Sequence, residues 1–293
     1  MPEQGPTLDL TEVRRAFDRA AESYDKYAVL QREVGDRALS QFGFMQIEPR
    51  IVLDLGAGTG HCARQLEKRF RRARVVLLDI APNMLKTARA RHRTWRTRAH
   101  YVCNDLRTLS LKSSSVDIIF SNLVLQWCGD LLAAFKECRR VLCPGGLFLF
   151  SSLGPDTLQE LRLAWSTVDG RSHVNTFRDM HEVGDALIAS GFSSPVLDRE
   201  CLTMTYRDVL GLMSDLKGIG AHNSLEGRSR GLTGKATFAA MRAAYECRRV
   251  NGVLPASFEV VYGHAWAPTS TTRPQDGSTV ATFPFKNLGR RLR

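Results

Sequence analysis

The sequence predicts an α/β fold with a doubly wound, mostly parallel sheet, and three observations support that prediction. Short apolar runs such as "VVLLD" alternate with segments of helical periodicity along the first half of the chain. The runs are apolar almost throughout, which is typical of strands covered on both faces. A glycine-rich turn directly follows the first run and opens the next helical segment. The length of 293 residues, with 43% apolar and 24% charged residues, is typical of a globular protein.

Seven segments have the composition of strands and together predict a seven-stranded, Rossmann-like sheet. Helical segments follow the first, second and fourth of them, and Pro82 is well placed for the first turn of one of these helical segments. The seven strand segments are "RIVLDLG" (50–56), "ARVVLLDI" (73–80), "AHYVCND" (99–105), "VDIIFSNLVLQW" (116–127), "GGLFLFSSL" (145–153), "PVLDRECLTMTY" (195–206) and "FEVVYGHAWAP" (258–268).

Three regions depart from the alternating pattern and define the expected organisation of the chain. Residues 8–42 repeat apolar positions three and four apart, which predicts an N-terminal helical cover at 1–45 with Thr11 as its N-cap. A helical insertion at about 207–251 precedes the last strand of the 46–268 domain, where such insertions commonly cover a ligand cleft. Residues 269–293 are rich in Ser, Thr, Pro and Arg without a period, which predicts a disordered tail.

Composition narrows the classes of partner. The net charge is +11, but the basic residues lie at helical spacing without an aromatic stripe, which favours solvated helix faces over nucleic-acid binding. The seven cysteines show no C-x-x-C spacing, so neither a disulfide framework nor a zinc site is expected. The chain has no apolar run of about eighteen residues and no signal-like start, so we expect a cytoplasmic monomer without membrane contact.

Three alternating glycines, Gly56, Gly58 and Gly60, follow the first strand in "VLDLGAGTG". Ligands of open α/β sheets bind at this turn, where glycine lets the backbone approach them closely. The dinucleotide fingerprint G-x-G-x-x-G would need its third glycine at position 61, which is His61, so a nicotinamide or flavin enzyme is disfavoured. An ordinary turn that binds nothing has about even odds on the glycines alone.

Polar residues at the ends of further strands favour a binding site over an ordinary turn. Asp79 closes the second strand, where a carboxylate can accept hydrogen bonds from both hydroxyls of a ribose. Asn104 and Asp105 follow the third strand, and Asn122 and Trp127 belong to the fourth segment. Each residue has a structural alternative, such as a helix cap, a turn or the core. Their convergence on one edge of a parallel sheet predicts a ligand cleft.

In these motifs the sequence resembles the class I S-adenosylmethionine-dependent methyltransferases. "VLDLGAGTG", "LLDI", "VCNDLRTL" and "VDIIFSNLVLQW" match their first four motifs between Arg50 and Ser152. The resemblance implies S-adenosylmethionine as cofactor, with the glycine turn on its methionine part, Asp79 on its ribose, and Asp105 with Leu106 around its adenine. The full set of implied cofactor-binding residues is Asp54, Gly56, Ala57, Gly58, Gly60, Asp79, Ile80, Asn104, Asp105, Leu106 and Asn122.

Further segments resemble one family within that class, the malonyl-acyl carrier protein O-methyltransferases of biotin synthesis. They are "AFDRAAESYDKYAVLQREVGDRAL", "LVLQWCGDL", "GPDTLQELR" and "DLKGIGAHN", and they extend the resemblance over about 15–267. The resemblance implies methylation of the free carboxylate of a malonyl thioester, with acyl carrier protein as partner. It also makes Lys217, with His222 and Asn223, candidates for contact with the substrate or carrier. The general tendency of lysine side chains to be exposed would by itself favour a solvent-exposed Lys217.

A carboxylate acceptor would shape the chemistry of the site. It has a pKa near 4 and is ionised at neutral pH, so no general base is expected. No metal-ligand pattern stands out, and no metal is expected. Because the transfer removes a positive and a negative charge, the site should be dry and aromatic near the methyl group. Tyr24 and Trp127 are our candidates for that wall.

Three alternatives remain open from the sequence. The same outline resembles a mitochondrial complex I assembly factor, a methyltransferase-fold protein linked to arginine hydroxylation. The lack of a transit segment and the intact glycine turn favour the methyltransferase. The second alternative is a methyltransferase that acts on another small acid, and the third is a dinucleotide enzyme.

Overall fold

The computed structural model describes residues 9–92, 99–221 and 234–269, and its centre is a seven-stranded sheet. The strands are β1 Ile51–Leu55, β2 Arg74–Asp79, β3 His100–Cys103, β4 Val116–Asn122, β5 Leu142–Leu153, β6 Ser193–Tyr206 and β7 Leu254–Trp266. Their order across the sheet is β3-β2-β1-β4-β5-β7-β6. The first five strands are parallel, and β7 runs antiparallel to both β5 and β6. The predicted doubly wound, mostly parallel sheet is therefore confirmed.

Helices connect β1 to β2, β2 to β3 and β4 to β5, and two more form the predicted insertion before the last strand. The helices are α1 Leu10–Ala20, α2 Tyr24–Tyr27, α3 Val29–Ser40, α4 His61–Arg69, α5 Pro82–Arg91, α6 Leu131–Val141, α7 Gln159–Ser166, α8 Met180–Ala189, α9 Val209–Gly218 and α10 Lys235–Glu246. In the insertion, α9 and α10 lie between β6 and β7. Within the described ranges, no helix has the length and apolar character that crossing a membrane requires.

The strands are apolar throughout because helices cover both faces of the sheet. On one face, Ile118 and Phe120 of β4 share a buried cluster with Leu66 of α4. On the other face, Ile119 of the same strand shares a cluster with Phe135 of α6. Successive side chains of a strand point to opposite faces, so a strand covered on both sides must be apolar at every position.

The N-terminal helical region consists of three helices, and its first N-cap differs from the expected one. The prediction of Thr11 as N-cap is wrong, because the Asp9 carboxylate accepts hydrogen bonds from the backbone N–H groups of Thr11 (3.1 Å) and Glu12 (3.2 Å). The helix is also interrupted on both sides of the short α2. Within α2, the Asp25 carboxylate accepts a hydrogen bond from Thr59 Oγ1 and pairs with Arg91. We attribute the interruption to these tertiary contacts, which orient α2 toward the glycine turn.

The fourth strand ends earlier than predicted. It stops at Asn122, and Leu123 adopts a left-handed backbone with φ of +54°. The Leu123 N–H donates to the backbone oxygen of Ser151 at 3.1 Å, and a short 3-10 turn then covers Leu125–Trp127. This turn brings the Trp127 side chain over the strand ends instead of into the sheet.

The boundaries of the expected domains, 1–45 and 46–268, stay predictions. In the predicted tail, residues 270–293 lie outside the described part of the chain. The β6 to β7 insertion likewise includes residues 222–233, of which nothing is described.

Candidate active site

Three cavities meet at the carboxyl edge of the sheet. The strand-tip cavity, about 770 Å³, lies over the ends of β1, β2, β3 and β4. The side cavity, about 720 Å³, is lined from α3, α7 and α9 and from the loop between α7 and α8. The helix cavity, about 430 Å³, lies between the α2–α3 segment and the glycine turn. The side chain of Tyr24 lines all three cavities, so it marks the point where they meet.

The glycines of the turn after β1 have three different roles. Gly56 has φ of +75°, and a Cβ at that position would overlap the side chain of Val124. Gly58 has φ of +53°, but a Cβ there would meet no atom within 4 Å, because the position borders open cavity space. Gly60, at φ of +79°, packs against His92 and precedes α4. Gly60 is absent from the linings of the three cavities, unlike Gly56 and Gly58.

Asp79 connects the end of β2 to the glycine turn. Its Oδ2 accepts a hydrogen bond from the Gly58 N–H at 2.8 Å, and its Oδ1 accepts from the Ala81 N–H at 2.8 Å. Burial raises the pKa of Asp79 to about 6, although both hydrogen bonds oppose that rise. The carboxylate also lines the strand-tip cavity. Asp79 therefore both fixes the turn and presents a buried acid to any ligand there.

Asp54, the fourth residue of β1, lines the helix cavity. It is 2% exposed, and its Oδ2 is buried without a hydrogen-bond partner among the described residues. Burial, and next the negative charge of Asp79, raise the pKa of Asp54 to about 7. An orphaned buried carboxylate oxygen is costly unless a ligand completes it. A cationic group in the helix cavity would do so.

Asn104, Asp105 and Leu106 follow β3 and line the strand-tip cavity together with Ile80. The Asn104 Oδ1 accepts from the Ser110 N–H at 2.8 Å, which orders the loop. Both carboxylate oxygens of Asp105 already accept hydrogen bonds from Arg107.

The pKa of Asp105 reflects this pairing. Burial favours a higher pKa, but the hydrogen bonds from Arg107 outweigh it and hold the pKa below its usual value. Asp105 is thus ionised at neutral pH, and a ligand donor would share it with Arg107.

Asn122 ties β4 to the helical cover. Its Nδ2 donates to the backbone oxygen of Gln31 at 2.8 Å, and its Oδ1 accepts from Ser151 Oγ at 2.7 Å. It lines both the strand-tip and the helix cavity. The predicted ligand residue therefore also positions α3 over the sheet.

An aromatic wall separates the strand-tip cavity from the side cavity. Phe17, Tyr24, Leu123 and Trp127 line both cavities. The rings of Phe17 and Trp127 meet edge to face with their centroids 5.4 Å apart. Burial, and next the charge of Asp79, raise the pKa of Tyr24 well above its ordinary value, so its hydroxyl stays protonated at physiological pH. The two wall residues expected from the sequence lie at this boundary.

Of the three residues expected to contact the substrate, the structure describes only Lys217. Lys217, at the end of α9, is exposed and lines none of the three cavities, whereas its neighbours Leu216 and Ile219 line the side cavity. His222 and Asn223 lie outside the described residues.

Several cavity residues were not singled out from the sequence. Arg32 lines the helix cavity opposite Asp54 and donates to the backbone oxygen of Asp25 at 2.5 Å. Gln31, next to it, lines both the side and the helix cavity. His173 lines the side cavity from the loop between α7 and α8. Gln31 and Arg32 lie in the segment "AFDRAAESYDKYAVLQREVGDRAL" that carries the family resemblance, whereas His173 belongs to no segment that offered a signal.

Two of the three cavities fit parts of S-adenosylmethionine that the resemblance implies. The helix cavity presents the Asp54 carboxylate, whose Oδ2 has no partner among the described residues, and the Arg32 guanidinium. These groups complement the ammonium and carboxylate of an amino acid. The strand-tip cavity presents Asp79 and an open surface at Gly58. Within residues 9–92, 99–221 and 234–269, no three His, Cys, Asp or Glu side chains are placed to share a metal ion.

Comparisons with known proteins identify the family. A methyltransferase domain family matches residues 53–150. The malonyl-[acyl-carrier protein] O-methyltransferase of Gallionella capsiferriformans is 49% identical over 95% of this chain and 98% of its own length. The protein of that name from Xylella fastidiosa is 46% identical over 98% of both chains. The Coxiella burnetii malonyl-[acyl-carrier protein] O-methyltransferase 1 is 40% identical over 99% of this chain and 100% of its own.

Solved structures agree on the fold. The YcgJ protein of Bacillus subtilis has a TM-score of 0.58 at 16% identity, covering 80% of this chain and 99% of that one. A Haemonchus contortus phosphoethanolamine N-methyltransferase 2 in complex with S-adenosyl-L-methionine has a TM-score of 0.52 at 19% identity, covering 86% of this chain and 57% of that one. On its full-length identity to these relatives, the chain belongs to the malonyl-[acyl-carrier protein] O-methyltransferase family and is an S-adenosylmethionine-dependent methyltransferase.

Proposed function

We propose that this enzyme transfers the methyl group of S-adenosylmethionine to the free carboxylate of a malonyl group held as a thioester on acyl carrier protein. The observation that carries the proposal is the extent of the match to relatives of that name. It runs far beyond the methyltransferase domain and includes α1, α2, α3, α7 and α9, which build the side cavity. These relatives lend no support to a complex I assembly factor or to another small acid as acceptor.

Residues around the strand-tip and helix cavities would hold the cofactor. We assign Asp79 to the ribose, Asp105 and Leu106 to the adenine, and Asp54 with Arg32 to the amino-acid end. The assignment is supported by the Asp54 Oδ2, which is buried without a partner among the described residues and which a cationic group in the helix cavity would complete. When bound, S-adenosylmethionine supplies a methyl group on a positively charged sulphur.

The acceptor would enter the side cavity already activated. The carboxyl group of a malonyl thioester is ionised at neutral pH, so an oxygen of the carboxylate is nucleophilic without proton removal. Tyr24 has a raised pKa and remains a neutral phenol, which suits a wall and a hydrogen-bond donor better than a base. We therefore assign no general base.

The wall would lower the barrier by positioning and by excluding water. Phe17, Tyr24, Leu123 and Trp127 border both cavities, so they would contact both reactants. The reactants carry opposite charges that vanish as the ester forms, and apolar side chains favour that change over a hydrated ground state. Holding the reactants in line can supply on the order of 7 to 11 kcal/mol in well-oriented cases.

Acyl carrier protein is the proposed partner. The chain carries a net charge of +11, which would favour association with an acidic carrier. Lys217 is exposed beside α2, where the neighbouring Gly218 packs against the ring of Tyr27. A contact of Lys217 with the carrier surface therefore remains a prediction, and it suits the structure better than a contact inside the cavity.

Mass spectrometry of the thioester tests the proposal. The purified enzyme is incubated with S-adenosylmethionine and malonyl-acyl carrier protein, with acetyl-acyl carrier protein as the matched control. We expect the malonyl thioester to gain the mass of one methylene and the acetyl thioester to remain unchanged. An unchanged malonyl thioester beside an active control enzyme would contradict the proposed substrate.

A further inference from the structure

The side cavity must recognise an acid, yet its described lining is nearly free of positive charge. Among the described lining residues, only His173 has a side chain that can become a cation near neutral pH. Tyr24 is the other titratable group there, and it stays neutral. Lys217 is exposed and lines none of the three cavities. If the acceptor is a carboxylate, His173 is the group whose chemistry matches it.

The His173 ring is fixed by two contacts. It stacks on the indole of Trp165 in α7, with the ring centroids 3.7 Å apart and the planes inclined by 10°. Its Nε2 lies 2.8 Å from Asp169 Oδ1. The Asp169 carboxylate also accepts from the Arg171 N–H at 3.1 Å, so it is itself held in place. The hydrogen bond from His173 lowers the pKa of Asp169, which keeps that carboxylate ionised.

This arrangement determines which nitrogen a ligand can use. An ionised carboxylate only accepts hydrogen bonds, so Nε2 carries a proton and donates it to Asp169. The second nitrogen, Nδ1, has no contact with Asp169. In the imidazolium form Nδ1 also carries a proton and can donate to an acid. In the neutral form Nδ1 presents a lone pair, which would repel a carboxylate.

We propose that His173, held by Asp169 and Trp165, is the specificity-determining residue that recognises the free carboxylate of the acceptor. The inference rests on the proposed function, because it requires an acid in the side cavity. One carboxylate oxygen accepts the hydrogen bond from Nδ1, and the other oxygen remains available for methylation.

The pairing with Asp169 explains how an acid can be held without suppressing the reaction. A fully exposed cation would stabilise the acid more strongly than the transition state, in which the negative charge is disappearing. The negative charge of Asp169 balances the positive charge of the imidazolium, so the His173–Asp169 pair is nearly neutral. The acceptor carboxylate is then bound mainly by the directed hydrogen bond from Nδ1. The methyl ester formed carries no charge and loses the charge-assisted hydrogen bond, which favours its release.

Steady-state kinetics with malonyl-acyl carrier protein, in which KM and kcat are measured separately, test the inference. Three variants are compared with the unaltered enzyme: His173→Gln, Asp169→Asn and the control His181→Gln. His181 makes a similar pair with Asp179 at 2.7 Å but is exposed and lies outside all three cavity linings. Cofactor affinity, measured by calorimetry, reports whether each variant is folded.

We expect His173→Gln to raise KM for the acid about tenfold to a hundredfold, the loss of one hydrogen bond to a charged group, while kcat changes less. Asp169→Asn should also raise KM, because an amide no longer fixes the proton on Nε2 and so no longer orients Nδ1 as the donor. His181→Gln should leave both KM and kcat unchanged.

The outcomes separate the inference from the function it rests on. If the unaltered enzyme does not methylate malonyl-acyl carrier protein, the proposed function fails. If it does, and KM is unaffected by His173→Gln or Asp169→Asn, only the role of His173 is overturned. If His173→Gln no longer binds the cofactor, the KM and kcat of Asp169→Asn decide the question, and an unchanged KM overturns the role of His173.

Discussion

Replacing Asp54 with Asn removes a buried negative charge from the helix cavity while keeping the shape of the side chain. The raised pKa of Asp54, about 7 against an ordinary 3.8, measures how unfavourable that charge is in the folded protein without a ligand. A difference of roughly three pKa units corresponds to about 4 kcal/mol at most. Because folded proteins relax around a buried charge, we expect a smaller effect, about 1 to 3 kcal/mol.

The sign of the effect depends on pH. A carboxyl group whose pKa is raised by folding contributes stability below its unfolded pKa, and that contribution is lost as pH rises through its folded pKa. The buried charge of Asp54 therefore does not lower the free energy of unfolding below about pH 4, and it lowers it by the full amount above pH 7. The Asp54→Asn variant should thus be more stable than the unaltered protein at pH 8, and the difference should shrink toward pH 5.

Urea unfolding at pH 5 and pH 8, without cofactor, measures this difference. Calorimetry with S-adenosylmethionine at pH 8 completes the test, because the substitution removes the partner of a cationic group and should weaken binding about tenfold or more. An Asp54→Asn variant that is more stable at pH 8 but binds S-adenosylmethionine more weakly would show that the unfavourable buried charge serves cofactor binding. A variant that is less stable at pH 8, or binds equally well, would refute the role of Asp54.

Three further substitutions test other parts of the site. Asp79→Ala should lower cofactor affinity about a hundredfold or more, and unchanged affinity in calorimetry would contradict its ribose contact. Gly56→Ala should cost about 2 to 5 kcal/mol of unfolding free energy, from the positive φ and the overlap with Val124. Val124→Ala in the same chain should recover part of that loss, and denaturation curves without recovery would refute the packing argument. Tyr24→Phe should keep kcat within about tenfold, whereas a loss of about a thousandfold would indicate a base.

The strands and the glycine turn could be predicted because local signals coincide with the tertiary structure. A strand buried on both faces is apolar at nearly every position, so "RIVLDLG" and "ARVVLLDI" can be recognised as strands from their composition. Pro82 likewise lies at the start of α5, where its fixed backbone angle suits a first turn. The polar residues after each strand then converge because parallel strands end at the same edge.

Other features depend on contacts between distant segments and left no local signal. Thr11 and Asp9 are both good capping residues two positions apart, and the helix started from the earlier one. The apolar "LVLQW" continued the strand pattern, but the left-handed backbone of Leu123 ends the strand at Asn122. His173 lies in a loop, and its contacts with Trp165 and Asp169 hold it where it lines the side cavity.

A crystal structure of the enzyme with S-adenosylhomocysteine tests the central claim most directly. We predict that the nucleoside lies in the strand-tip cavity beside Asp79 and that the amino group meets the Asp54 oxygen left unpartnered in the free protein. The sulphur should then point past Tyr24 toward the side cavity. Ligand density elsewhere, or a sulphur turned away from the wall shared by the two cavities, would contradict the account.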